Sequence, residues 1–225
     1  MAASIHPIDW DAVPRDLAAS IPLAGLVALV LYATRPLYHY MRARGLSHRA
    51  AVYYNRKVIH AAAGGVVTLL VPYVYREPLA PAAMAFLLGG ILALQRRRGR
   101  LMYWFQVPEN SYEVNFTLAW GASLLVLWPL LGPRLAVLPA IFIAFGDAVT
   151  GIVRNTLFSR RVKHWAGNLA MLAVTAPLGY AYGGLPGVLA ALTASVVERY
   201  EFPPIDDNIL IALASLLVLL AAPLI

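Results

Sequence analysis

Apolar blocks and short polar connections alternate along this 225-residue chain from one end to the other. The blocks fall at roughly 17–37, 58–75, 79–94, 114–131, 135–153, 169–182, 185–197 and 209–225. Several approach the length of about 20 apolar residues that carries a helix across a bilayer, and others fall below it. The pattern predicts an all-α, polytopic integral membrane helical bundle with about eight transmembrane segments, seven or nine being the alternatives. The sixth and seventh blocks are joined by Gly183-Gly184-Leu185-Pro186-Gly187, so they read as short tilted helices or as a re-entrant pair. No internal repeat or low-complexity tail appears, and one membrane-embedded domain over 1–225 is the natural division at this length.

Composition sharpens that picture. The chain is 60% hydrophobic and only 13% charged, whereas soluble domains carry about a quarter charged residues. It has no cysteine, which excludes disulfides and thiolate metal sites. Residues 1–16 set Asp9, Asp11 and Asp16 against Arg15, the opposite of a basic signal-peptide start, so no cleavable signal is expected.

The net charge of +7 does not point to nucleic acid, because 15 of the 18 basic residues fall in four alternate connections. These carry Arg35 to Lys57, Arg96 to Arg100, Arg154 to Lys163, and Arg199; Arg15, Arg76 and Arg134 lie on the other side. The positive-inside rule then places the four basic connections in the cytoplasm and both termini outside. Acids contribute little to orientation, yet 7 of the 11 gather at the same connections and the helix ends beside them. They are Glu109, Glu113, Asp147, Glu198, Glu201, Asp206 and Asp207. A polar site facing the cytoplasm, where nucleotides are found, accounts for that gathering.

Asp147 is the most telling acid. It follows the apolar run 135–145 directly, and an ionised group inside or at the lip of a membrane helix costs a few kcal/mol and usually marks a site. A structural ion pair with Arg154, seven positions on, is the competing explanation. Arg56, His60 and Gly64 are spaced by four and share a helix face, as a juxtamembrane anchor would or as a phosphate-binding face would. Asp206-Asp207-Asn208 exceeds what a single helix cap needs. Adjacent carboxylates repel unless a cation screens them, and Mg²⁺ takes one or two carboxylates together with phosphate oxygens. Arg160, Arg161 and Lys163 are either topology determinants or ligands of a polyphosphate. The run Arg96 to Arg100 reads as topology or contact with anionic headgroups. Walker-A, kinase catalytic-loop and G-x-S-x-G patterns are all missing.

Three motifs resemble the dolichol kinase and phytol kinase family of CTP-dependent polyprenol kinases, which are related to the phosphatidate cytidylyltransferases. They are Arg56-Lys57-x-x-His60, the stretch from Gly146-Asp147-Ala148 through Lys163 to Gly167-Asn168, and Glu198…Pro…Asp206-Asp207-Asn208. The resemblance spans residues 56 to about 215. It departs from the family pattern at Arg154-Asn155, where the family often has Gly-Arg or Gly-Lys, and at Ala166, where the family has Glu. It implies a transfer of the γ-phosphoryl group of CTP, with Mg²⁺ or another divalent cation, to the hydroxyl of a polyprenol. On that reading Asp147, Asp206, Asp207 and Glu198 are catalytic, the three aspartates as metal ligands. Arg56, Lys57, His60, Arg160, Arg161, Lys163, Asn168, Gly146 and Asn208 hold the nucleotide. Glu113, Asn115 and Gly64 are secondary or face the lipid. A cytidylyltransferase making a CDP-lipid is the nearest alternative, and a transporter binding a coupling ion at Asp147 is the alternative from another class. The oligomeric state is left open.

Overall fold

The computed structural model of the chain describes residues 8–158, 163–200, 202 and 205–222. Among the described residues six helical runs are long and apolar enough to cross a membrane, by length and composition. They are α1 (Trp10–Ala43), α2 (His48–Val74), α3 (Leu79–Arg97), α4 (Tyr112–Leu131), α5 (Pro133–Phe158) and the run Trp165–Val197. A shorter apolar helix, Asp207–Ala221, follows.

The run Trp165–Val197 is not one straight rod. Gly184 within it has φ 59° and ψ −143°, outside the helical region and open to glycine at low cost. Gly179 and Gly187 would stand about 12 Å apart on a straight helix, yet their backbones are in contact. Asn168 and Ser195 also exchange hydrogen bonds across the run. The segment is therefore a hairpin of two antiparallel helices, α6 (165–183) and α7 (185–197), and Asp207–Ala221 is α8. The second arm is about 20 Å long at 1.5 Å per residue, short of the ~30 Å hydrocarbon core of a bilayer. Eight helical segments result among the described residues, with the sixth and seventh turning back on each other.

Local sequence sets the ends of these helices. Gly45, Gly99 and Gly132 follow α1, α3 and α4 with φ of 89°, 66° and 79°, the left-handed stop that glycine supplies most cheaply. Ser47 caps α2 by accepting from the Ala50 amide, and Asp206 caps α8 by accepting from the Ile209 amide at 3.1 Å.

Helix α5 runs through the middle of the bundle. Residues 136–144 are all buried, and they form the heart of one large apolar core with Leu124, Leu127, Met171 and Ile211. The outer faces stay apolar as well: Leu29, Leu87, Leu169, Leu185 and Leu217 are among the exposed residues, as expected for a surface solvated by lipid tails. Glycines admit rings between the helices, Gly65 against Phe145 and Gly121 against Phe86, the close approach that membrane packing favours. Two wide π-helical turns interrupt the regular spiral, at His60–Gly65 in α2 and at Phe142–Gly146 in α5. Each adds a residue to its turn and re-aims the side chains beside it, and such turns collect at functional sites.

Candidate functional site

The two π-helical turns flank one cluster of charge. His60 opens the first and Asp147 directly follows the second. Because α6 and α7 form a hairpin, Lys163 before the first arm and Glu198 after the second arrive at the same end of the bundle. Asp207, at the start of α8, joins them.

Lys57 Nζ donates to both carboxylate oxygens of Asp147 at 2.6 Å, and His60 Nδ1 stands 3.2 Å from Asp147 Oδ2. Arg154 makes a forked pair with Glu198, Nη1 to Oε1 and Nη2 to Oε2, both at 2.8 Å. Its Nη2 also donates to Asn168 Oδ1 at 2.7 Å, and its Nε donates to the His164 carbonyl at 2.9 Å. Lys163 Nζ bridges the two remaining acids, 3.1 Å from Glu198 Oε1 and 2.9 Å from Asp207 Oδ2. Such pairing is what makes burial of these groups tolerable. Asp147, Glu198, Asp207, Lys57 and Arg154 are all buried, and a buried charge without a partner costs several kcal/mol.

Electrostatics outside the helical spans follow from burial. The Glu198 carboxyl is pushed up by burial, and Lys163 and Arg154 pull it back only in part. Burial pushes Asp206 up to about 6, with the neighbouring Asp207 adding to the shift and the bond from the Ile209 amide opposing it.

The residues singled out from sequence separate into groups. Asp147, Glu198 and Asp207 converge: one carboxylate oxygen from each lies within 4.8 Å of the others. Lys57, Lys163 and Arg154 surround them. Asp206 does not join. Its carboxylate turns to cap α8 and accepts from Asn115 Nδ2 at 3.0 Å and Asn208 Nδ2 at 3.3 Å. Asn115 is thereby a partner of that cap, and Asn208 borders the polar pocket beside Asp207. Arg56 borders it too, donating to Asn110 Oδ1 at 3.0 Å and lying over the Tyr112 ring. Asn168 holds Arg154 and is itself tied to the Ser195 carbonyl. Gly146 packs away from the charges, where a Cβ would press on Met171 and Thr175. Gly64 packs against the Phe116 ring. Glu113 accepts from Arg96 and Gln106 at 2.7 Å each. Arg160 and Arg161 lie outside the described residues.

The pairing of Asp147 with Arg154, a possibility raised by their spacing, does not form; each has found a different partner. Sequence reasoning did not single out Tyr53 and Tyr112, which line the polar pocket. It also passed over Gly151, and it named Gly167 without its packing role; the two make the room for Lys57 and Arg154, since a Cβ at either position would collide with those side chains. A glycine facing a basic residue from another helix leaves no trace in local spacing, so no signal along the chain exposes that role.

The polar pocket encloses about 30 Å³, roughly the share of one water molecule, because the charges close on one another. Beside it runs an apolar cavity of about 300 Å³ between α1, α2, α3 and α4. Arg56 and His60 belong to the walls of both. Three carboxylates within reach of one another form the hard oxygen set that Mg²⁺ or Ca²⁺ takes. The surrounding lysines and arginine suit phosphate oxygens. Comparisons with known protein families, curated proteins and solved structures find no match to this chain.

Proposed function

We propose that the protein is a membrane-embedded lipid kinase that moves the γ-phosphoryl group of a nucleoside triphosphate to the hydroxyl of a polyprenol. One observation carries this reading: Asp147, Glu198 and Asp207 converge with Lys57, Arg154 and Lys163 around a polar pocket that shares Arg56 and His60 with the wall of an apolar cavity. Phosphoryl transfer needs little covalent help from protein; it needs positioning and neutralisation of the phosphate charge. The acids would hold a divalent cation, which supplies charge neutralisation on the phosphates. In the resting arrangement Lys57 and Lys163 occupy the acid oxygens and keep them in place. With a cation held by these acids, Lys57 and Lys163 would be released to turn toward phosphate oxygens. Arg154 stays locked to Glu198 and Asn168 and fixes the frame. The bond between the β–γ bridging oxygen and the γ phosphorus breaks, the lipid oxygen bonds to that phosphorus, the nucleoside diphosphate leaves with the bridging oxygen, and the hydroxyl proton passes to a carboxylate of the cluster. CTP as the donor follows from the resemblance to the dolichol and phytol kinases. The site faces the cytoplasm by the bias of the basic connections.

The test uses the purified full chain, Mg²⁺, a panel of prenols and each common γ-labelled triphosphate. Label in an organic-phase lipid monophosphate is the expected result, and no transfer to any prenol from any triphosphate refutes the reading. Pyrophosphate release with a lipid phosphate, giving a CDP-lipid, would identify a cytidylyltransferase in its place.

A further inference from the structure

Glu113 is an acid in the wall of the apolar cavity, and one of its carboxylate oxygens has no partner among the described residues. Glu113, in the first turn of α4, lines the cavity and is only 7% exposed. Its Oε1 accepts from both Arg96 Nη2 and Gln106 Nε2 at 2.7 Å. Its Oε2 is buried and has no hydrogen-bond partner among the described residues. A buried carboxylate oxygen left unpartnered costs more than an ordinary lost bond, so a ligand that donates there recovers a substantial free energy.

The rest of the cavity restricts that ligand. Elsewhere in the lining Ser20 Oγ and Tyr75 OH satisfy each other at 3.0 Å. Between these groups the lining is hydrocarbon, including Val27, Ala63, Leu88 and Phe116. From His60 to Tyr75 the wall of α2 is about 22 Å long at 1.5 Å per residue, which suits one extended aliphatic chain. The cavity opens sideways where Ala28 of α1 and Leu87 and Ile91 of α3, all lining it, are exposed on the outer face of the bundle. A chain longer than the cavity leaves through that opening into lipid.

We infer that Glu113 is the specificity-determining residue for the lipid: its Oε2 accepts the O–H of a single-chain lipid alcohol seated in this cavity. The inference deepens the kinase reading and rests on it. A carboxylic acid or a lipid phosphate presents negative charge to Glu113 and is refused. An alcohol brings the donor that Oε2 lacks, and it holds its oxygen beside His60 and Arg56, the wall shared with the polar pocket.

The experiment uses the full chain reconstituted in nanodiscs without nucleotide. Three photoreactive probes share one farnesyl chain and end in an alcohol, its methyl ether or a carboxylate. The alcohol is expected to label peptides of α1, α3 and α4 that line the cavity. The ether, which cannot donate, should bind roughly tenfold or more weakly, the loss typical of a bond to a charged acceptor; the carboxylate should bind more weakly still. In Glu113→Gln an amide N–H replaces one oxygen, so the alcohol and the ether should bind alike. Should that variant not fold, the three probes on the unaltered protein decide alone. Equal labelling by alcohol and ether, equal labelling by the carboxylate, or labelling outside the cavity overturns the inference. A parallel transfer assay separates it from the kinase reading. Alcohol-selective labelling without phosphoryl transfer leaves the inference standing and refutes the kinase. Transfer with labelling indifferent to the head group does the reverse.

Discussion

The polar pocket and the apolar cavity share a wall and are built on opposite principles. In the pocket each acid is held by a basic partner: Asp147 by Lys57, Glu198 by Arg154 and Lys163, Asp207 by Lys163. The space left is about 30 Å³. In the cavity about 300 Å³ is open, and a buried carboxylate oxygen of its lining has no partner. The difference teaches what each region asks of a ligand. On the proposed reading the pocket would bind by exchange, since a newcomer must displace ammonium groups already in place. On the same reading the cavity would bind by addition, a chain filling space and a hydroxyl completing a bond.

The sharpest way to break this contrast is to remove charge from the exchange site. Asp147→Asn and Asp207→Asn each keep size and hydrogen bonding but lose the anion. Each should lower phosphoryl transfer by roughly a hundredfold or more, the scale seen when one electrostatic contact to a transition state is lost. If both acids serve one cation, the double variant loses far less than the product of the single losses, because groups acting as a unit are not additive. Losses that multiply would mean two separate roles.

Arg154→Met tests whether the pocket is also a structural lock. It leaves Glu198 with Lys163 as its one remaining cation among the described residues, and removing a partner from a buried pair costs at most about 3–5 kcal/mol. The midpoint of thermal unfolding in detergent should fall clearly, with nucleotide absent. A midpoint equal to that of the unaltered protein would mean that Arg154 serves the ligand alone.

On the proposed kinase reading, filling the cavity should act on one substrate only. Ala85 lines the cavity, and Ala85→Trp should raise the KM for a prenol roughly tenfold, the size of effect a blocked apolar subsite gives. The KM for nucleotide should stay unchanged. A matching rise in both would show that the two regions do not act independently.

The smallest effect belongs to Asp206, which is set apart from its neighbour. Its folded pKa of about 6 lies above the ordinary carboxylate range, so ionisation opposes the folded state. The stability it contributes is fully present below the unfolded pKa near 4 and is lost as pH rises through about 6. Asp206→Asn keeps an oxygen for the Ile209 amide and cannot ionise. The variant should therefore equal or exceed the original in stability at pH 7 and hold no such advantage at pH 4. Measured midpoints of unfolding at the two pH values check the sign.

Asp206 and Asp207 also mark where sequence stops being legible. That an acid pair at the start of α8 exceeds the needs of a cap is visible in the chain. Which member caps is decided by backbone geometry at the helix start: Asp206 has the extended conformation of a cap residue, and Asp207, one position on, points to Lys163. The all-α bundle was legible because apolar length is a strong signal, although six described runs, against the eight expected, are long and apolar enough to cross; the hairpin was foreshadowed by Gly183-Gly184. The π-helical turns were not, since a single added residue per turn scarcely alters a hydrophobic period. Those turns set the aim of His60 and Asp147, so residue types could be read where side-chain partners could not. Arg154 shows the same limit: its spacing suggested Asp147, but its partner Glu198 comes from another helix.

The reversal at Gly184 has a consequence in the parity of the path. A segment that turns back on itself adds either no crossing or two, whatever depth its arms reach. The number of passes can therefore change with the depth of this hairpin while the side on which the chain re-emerges cannot. Lys163 and Glu198 are bound to share a compartment by this topology alone. A reporter inserted before Trp165 and one inserted after Val197 must then give the same answer.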